Sequence, residues 1–387
     1  MNIALNRGSQ SFSSVEALLR SRQPVAPVYC IYPRVYEETA REFVAGFPGR
    51  VLYAVKANDH PEIIRLLNRA GVTHFDCASI PEIETVRAVC SNATAYFMVP
   101  VRLRGAAREA QTKLDVRHFM VDHLNGLELL EREIDMTRAV VFARMAAHHP
   151  SAMQDLSAKF GAPPEDVPEL LERIAERGAE PALAFNVGSA VTEPEAYACA
   201  IDLTARVLAK LQIRVRLVDV GGGFPKSYPG FPVPKLEDYF QRVRTAAAAL
   251  PLADNGEILG EPGRALAAPG LSAVVEVLLR KNNRLYINDG MYGIFWELRF
   301  RGHDRYPVRA YRDGKVMEGG GRPFQLLGPT CDGTDVLPGE VELPEAIAPG
   351  DYLEFGKLGA YSLSGRTSFN GHYSDDIVTI TDGKPVA

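Results

Sequence analysis

The chain is poor in the patterns that build covalent or metal frameworks. Its five cysteines, Cys30, Cys77, Cys90, Cys199 and Cys331, are scattered, odd in number and free of any C-x-x-C pair. That spacing supports neither a disulfide scaffold nor a zinc site, and it fits a reducing compartment. The eight histidines contain no H-E-x-x-H or comparable ligand pair, so no metal is expected. A basic surplus is also missing: the formal net charge is −5, which leaves no footprint for nucleic acid. No apolar run reaches the roughly 20 residues of a membrane helix. The first residues, Met1 to Arg7, lack a basic stretch followed by an apolar core, so no signal peptide is expected. These absences together point to a cytoplasmic protein with no membrane or nucleic-acid partner.

What the chain does have is rhythm. Short apolar runs recur at 52–55, 73–77, 95–98, 118–121, 139–143, 182–185, 216–220 and 258–260, giving eight candidate strands. Helical periodicity fills most of the gaps, at 62–70, 81–89, 104–112, 124–133, 168–177, 194–211 and 236–250. Strands alternating with helices predict parallel β/α units, and eight of them predict a closed (β/α)8 barrel with its active site at the carboxyl ends of the strands. After Gly270 the helical pattern gives way to strand-like runs at 271–279, 285–289, 307–310, 351–355 and 377–381, separated by Gly and Pro. This predicts a separate β domain. The division is therefore an N-terminal segment 1–34, whose strand at 28–32 joins that β domain, a barrel over 35–270, and a C-terminal domain over 271–387.

The expected strand ends carry Lys56, Asp76, Pro100, Asp122, Arg144, Asn186, the run Gly221-Gly222-Gly223 and Glu261. Strand interiors need none of these charges, so the clustering points to chemistry at one rim. Lys56 follows a short buried run bounded by Gly49 and by Asn58-Asp59-His60-Pro61. An ammonium there is costly to bury unless it is paired or used. Schiff-base chemistry uses such a lysine, because only the neutral amine attacks a carbonyl. Taken alone, the stretch also fits a lysine that snorkels to the surface. The glycine triplet lets consecutive backbone N–H groups close around a phosphate, or it is a plain tight turn. Ser189, after the preceding strand, adds a hydroxyl. Glu261 and Arg264 form either a local ion pair or a division of labour, with the carboxylate facing a pyridine nitrogen and the guanidinium facing a phosphate. Cys331 lies with Asp332 and Asp335 in a glycine-bounded loop too polar for a core thiol.

Nine motifs, in order, settle these alternatives by resemblance: YAVKAN (53–58), HFDCAS (74–79), FNVGS (185–189), DVGGGFP (219–225), GEPGR (260–264), NDGMYG (288–293), GPTCDGTD (328–335), GAY (359–361) and SFNG (368–371). They span nearly the whole chain, and the sequence resembles the ornithine/diaminopimelate/arginine decarboxylase family, pyridoxal-phosphate enzymes of the alanine-racemase-like fold. The branch it resembles most is the eukaryotic-type ornithine decarboxylases, a likeness that extends to Leu156–Gly161. The resemblance implies a pyridoxal 5'-phosphate-binding (β/α)8 TIM barrel followed by a β-sandwich or β-barrel domain. It implies that Lys56 holds the cofactor covalently, with Asp76 and Glu82 setting protonation around it and Arg144 beside the ring. It gives the phosphate to Ser189, Gly222, Gly223, Arg264 and Tyr361, and the pyridine nitrogen to Glu261. It places Cys331, Asp332 and Phe369 in the active site of a partner subunit, with Cys331 as proton donor to the carbanion. It pairs Lys159 with Asp335 between subunits, so the expected assembly is a homodimer with shared sites.

Two positions depart from the family pattern. Asn186 stands where a histidine usually stacks on the cofactor ring. Ungapped register from Asn288 places Arg301 where ornithine decarboxylases carry an aspartate for the distal amine of the substrate. A guanidinium there would repel an ammonium and attract a carboxylate. The alternatives are that Arg301 faces solvent, or that Asp304 supplies the acid one turn later. The sequence thus predicts an amino-acid α-decarboxylase whose substrate carries a distal carboxylate or an acylated amine, with an L-ornithine or L-lysine decarboxylase of polyamine synthesis as the alternative. A racemase is disfavoured, because racemases of this fold use a tyrosine in the loop that here carries Cys331. A non-catalytic regulatory homologue would have lost the ligands that are present. A cofactor carrier built from the barrel alone is excluded by the β domain.

Overall fold

Eight parallel strands close into a barrel in the computed structural model, which describes residues 10–301 and 306–387 and every side chain among them except that of Arg301. In chain order they are Arg50–Ala54, His74–Cys77, Thr94–Phe97, His118–Val121, Val140–Ala146, Glu180–Asn186, Leu217–Asp219 and Glu257–Gly260, the last pairing back onto the first. All eight expected strands are present, with ends shifted by a few residues. The fifth is longer than its apolar run because it stays in register with the sixth from Val140↔Glu180 to Ala146↔Asn186.

The connecting helices start and stop where side chains dictate. Pro61–Arg69 has Pro at its first turn and the His60 ring accepting the Glu62 N–H at its N-cap. Its Ile63, Ile64, Leu66 and Leu67 are buried, an apolar stripe turned to the strands. Ser79 caps Ile80–Val89 in the same manner. Inside the barrel Leu52, Tyr96, Met98, Met120, Phe142, Ala182, Ala184, Leu217 and Leu259 pack together, so the interior is filled rather than hollow.

The described residues divide into two compact units: 39–226 with 233–266, which hold the barrel, and 10–38 with 227–232 and the described part of 267–387. The first and last of the four cuts fall inside helices, Pro33–Gly46 and Arg264–Ala267, a few residues from the expected 34/35 and 270/271. The second unit is built on one connected mixed sheet of ten strands. Leu271–Lys281 is its hub and pairs with Val28–Ile31, Arg284–Ile287 and Tyr352–Phe355. The strand Val28–Ile31 also pairs in parallel with Ile377–Ile380, so the segment ahead of the barrel belongs to this sheet. Val15, Leu18, Leu19, Val28, Cys30, Val274, Val378 and Ile380 form part of its core. Gly321–Leu327 and Val341–Pro344 are strands beyond those expected. Gly and Pro interrupt their pattern, although buried Phe324 and Leu326 carry the period-2 signal.

Candidate active site

Parallel register brings the first pair together. Ala54 lies opposite Asp76 in adjacent barrel strands, and a single 3-10 turn, Val55–Ala57, carries the chain past Ala54 to Lys56. The Lys56 ammonium donates to Asp76 Oδ2 at 3.1 Å. Asp76 is only 2% exposed, whereas the lysine side chain is 46% exposed at the rim. The turn itself is pinned. The Tyr53 hydroxyl donates to the Asn58 carbonyl at 3.0 Å, and the Asn58 side chain accepts the His60 N–H at 3.1 Å. Lys56 is therefore a paired, reachable amine on a fixed turn.

Around this pair the acids outnumber the bases. Glu82 accepts the Ala78 N–H at 2.6 Å while its own N–H is received by Ser79, a reciprocal cap that fixes the start of its helix. Burial pushes its carboxyl up to about 7, the Ala78 bond opposes this, and Asp76 adds to it. Glu261 follows the last barrel strand and is buried, as is Asp219 at the end of the strand before it. Both are driven well above the usual carboxylate range, first by burial and then by neighbouring acids, with Lys56 pulling the other way. Arg144 also opposes the shift of Glu261. Its guanidinium lies 5.2 Å from the centre of the Phe160 ring. Among the described residues Glu261 Oε1 and Asp219 Oδ2 are buried without a donor, and the two carboxyls lie close enough to share a proton. Such buried carboxyl oxygens are costly unless a shared proton or a ligand's donor reaches them.

Asp219 begins one of the nine motifs, yet the sequence pattern assigns it no role. Its signal is an acid that ends an apolar strand and runs straight into three glycines. Its Oδ1 accepts the Gly221 N–H at 2.8 Å, and the Gly221 carbonyl accepts the Glu261 N–H at 2.8 Å. One glycine thus links the two acids to the loop.

That loop is too tightly packed for side chains. A Cβ on Gly222 would come within 2.8 Å of the Glu261 carbonyl, and one on Gly223, whose φ is +98°, within 2.6 Å of the Gly188 carbonyl. Gly188 is in turn held by the Asn186 side chain, which accepts its N–H at 2.9 Å. Asn186 therefore has a structural task of its own, capping the loop that leads to Ser189. Arg264 is 7% exposed at the first position of the helix Arg264–Ala267.

These groups fit pyridoxal phosphate. A reachable amine matches its carbonyl, a buried acid with one oxygen that no described nitrogen or hydroxyl serves matches its ring nitrogen, and side-chain-free backbone near a serine and a buried arginine matches its phosphate.

The remaining expected residues lie in the sheet unit and form a cluster of their own. Tyr292 and Phe369 stack with centroids 4.5 Å apart. The Tyr292 hydroxyl donates to Asp332, which also accepts the Thr334 N–H at 2.9 Å. The Cys331 N–H donates to the Asn370 side chain at 3.0 Å, and the thiol-bearing residue is exposed. Asp335 is different. It is 2% exposed and accepts from the Met291 N–H, the Thr330 N–H and the Thr330 hydroxyl, so its carboxylate is already engaged within its own chain. Tyr361 sits at φ +52°, an uncommon conformation for a bulky side chain. The side chain of Arg301, and Asp304 with it, lie outside the described residues. Arg299, to which the sequence pattern assigns no role, is described: its guanidinium carbon lies 4.3 Å from the Tyr292 ring centroid.

Comparison with known proteins agrees with this geometry. The family model described as pyridoxal-dependent decarboxylase, pyridoxal binding domain, matches residues 34–268. The chain is 30% identical over 356 residues to a probable ornithine decarboxylase of Dictyostelium discoideum, covering 86% of this chain and 74% of that protein. It is 31% identical over 354 residues to decarboxylase flvG of Aspergillus flavus, covering 87% and 81% respectively. Among solved structures, lysine/ornithine decarboxylase of Vibrio vulnificus complexed with cadaverine matches with a TM-score of 0.81 at 27% identity, over 94% of this chain and 97% of that one.

Proposed function

Because this chain belongs to the pyridoxal-dependent decarboxylase family and is thereby a pyridoxal-phosphate-dependent amino-acid carboxy-lyase, we propose specific roles for its residues and a substrate with an acidic or acylated distal end. Pyridoxal phosphate, when bound, supplies the electron sink that lets an α-carboxylate leave as carbon dioxide. Lys56 is the residue that holds the cofactor covalently, and Asp76 and Glu82 govern the proton on its Nζ. Glu261 faces the ring nitrogen, and its Oε1, which has no donor among the described residues, accepts the ring's hydrogen bond. Asn186 and Arg144 flank the ring. Ser189, Gly222, Gly223, Arg264 and Tyr361 hold the phosphate. Cys331 gives its thiol proton to the α-carbon after carbon dioxide has left, and Asp332 and Phe369 contact the substrate.

The observation that carries this reading is the Lys56–Asp76 pair, a rim-exposed amine 3.1 Å from a buried acid. Borohydride reduction of the holoenzyme followed by peptide mapping tests it. Label on Lys56 is the expected result, and label on another lysine overturns the assignment.

We further propose a homodimer in which the loop carrying Cys331 and Asp332 completes the partner subunit's site. Mixing inactive Lys56→Ala with slowed Cys331→Ala protein should raise activity above that of the Cys331→Ala protein alone, because one site of each heterodimer is intact. No recovery after demonstrated subunit exchange would rule out shared sites.

For the substrate, the register that puts Arg301 where an acid is expected supports a distal carboxylate or an amine acylated by an acid-bearing group. The second reading is an ornithine or lysine decarboxylase. It is favoured by the names of the relatives and by the retained Asp332. Steady-state rates on the two substrate types separate them.

A further inference from the structure

Asp332 does not stand alone in the sheet unit. It accepts the Tyr292 hydroxyl, and the ring face of Tyr292 carries the Arg299 guanidinium at 4.3 Å from the centroid. Phe369 stacks on the same ring at 4.5 Å and 27°. Tyr292 is thus an aromatic plate between one acid and one base, the acid half-buried and the base exposed. The Asp332 carboxyl is held below the usual range first by the Tyr292 bond, then by the Thr334 N–H, with Arg299 adding to the same effect.

An acid that is to bind an ammonium tail works best when no other cation serves it. Here the neighbouring guanidinium already offsets the charge of Asp332, and a bare ammonium approaching the acid also approaches Arg299. The guanidinium presents a planar fork suited to a carboxylate, and stacking on Tyr292 holds that fork in place.

From this juxtaposition, and resting on the reading that places Asp332 at the substrate's distal end, we propose that Arg299 is a specificity-determining residue. The cluster takes a tail that offers an N–H donor to Asp332 and a carboxylate to Arg299, and it disfavours a tail ending in a free ammonium. This holds whatever Arg301 does, since Arg299 reaches the cluster by itself.

The test uses the pyridoxal-phosphate holoenzyme and two probes, L-ornithine and L-ornithine succinylated on its δ-nitrogen. Wild type should favour the succinylated probe in kcat/KM by at least about tenfold. Arg299→Ala should lower kcat/KM on that probe by roughly ten- to a hundredfold, mainly through KM, and raise it on ornithine. Arg299→Lys should fall between, because charge is kept and the fork is lost. The matching amine products, titrated against the cofactor absorbance, should shift in Kd in the same direction, while the spectrum of the unliganded holoenzyme stays unchanged. A preference that moves by less than about twofold in Arg299→Ala, or a wild type that favours free ornithine, overturns the proposal and leaves the decarboxylase reading standing. If wild-type holoenzyme releases carbon dioxide from neither probe, the substrate reading falls and this proposal falls with it.

Discussion

The barrel and the sheet unit carry their functional residues in opposite ways. In the barrel the important acids are buried: Asp76, Asp219 and Glu261 are each under 10% exposed, and two of them have oxygens without a donor among the described residues. In the sheet unit Cys331, Arg299 and Phe369 are exposed, and Asp332 is satisfied by Tyr292 and Thr334. A buried unsatisfied carboxyl is destabilising, so the fold loses little when it is removed while the chemistry loses much. An exposed loop residue weighs little on the fold in either direction. The barrel holds unsatisfied groups ready for a ligand, and the sheet unit displays groups that act by contact.

The contrast breaks first at Lys56. Lys56→Ala should cut turnover by at least about a thousandfold and abolish the visible absorbance of bound cofactor, with secondary structure intact by circular dichroism. Residual activity with an unchanged spectrum would place the chemistry elsewhere.

Next in size is Glu261→Gln. It keeps the shape and removes the charge that a ring nitrogen needs, so kcat should fall by about a hundredfold. Thermal unfolding of the cofactor-free protein should at the same time move to higher temperature, because a carboxyl pushed up by burial has been replaced by a neutral amide. A drop in both would mean that Glu261 holds the fold rather than the ligand. Asp219→Asn should show the same signature more weakly, since its Oδ1 bond to Gly221 survives in the amide.

Cys331→Ala is the counterpart in the sheet unit. Turnover should slow by roughly tenfold or more, and part of the product should be diverted towards decarboxylation-dependent transamination, with unfolding free energy changed by less than about 0.5 kcal/mol. Mass spectrometry of the products decides it, and an unchanged rate with an unchanged product removes Cys331 from the mechanism.

The smallest effect sharpens the comparison through pH. At the strand starts of the barrel, His118 is held neutral by burial and by nearby cations, lowered from 6.5 to about 3. Above about pH 6.5 both folded and unfolded chains are neutral there, and the histidine contributes no pH dependence. Below it the unfolded chain gains a proton that the folded one refuses, so stability falls with falling pH until the folded value is reached. In the sheet unit burial raises Asp289 from 3.8 to about 6, which has the opposite sign: its contribution is complete below 3.8 and is lost as pH rises through about 6. His118→Asn should therefore flatten the acid limb of a denaturant-midpoint profile by about 1–2 kcal/mol, and Asp289→Asn should flatten the limb between 4 and 6. Parallel profiles for the variants and wild type would show that neither group is buried in solution as described.

Much of the fold was legible because its signals are local. Apolar runs of strand length alternating with helical stripes identified the barrel strands, and Pro61, Ser79 and the glycine triplet marked the places where elements begin and end. The strands Gly321–Leu327 and Val341–Pro344 were less legible, since their pairing partners outweigh their Gly and Pro content. Lys56, Glu261 and the glycines fall at one rim on the strand pattern alone, because a parallel barrel collects its strand ends there. Asp219 and Arg299 are not legible in that way. Asp219 looks like an ordinary strand end until its burial beside Glu261 is known, and Arg299 looks like one more charge in the run Leu298–Arg301 until Tyr292 is found beneath it.

The sequence by itself determined the family, the order of elements and the kinds of groups available, because periodicity and motif spacing are properties of the chain. Only the tertiary structure decided which groups share an environment. Register set Lys56 against Asp76, burial pushed Asp219 and Glu261 up together, and stacking on Tyr292 joined Arg299 to Asp332. Charge and desolvation act through space over a few ångströms, and distance along the chain does not report that separation.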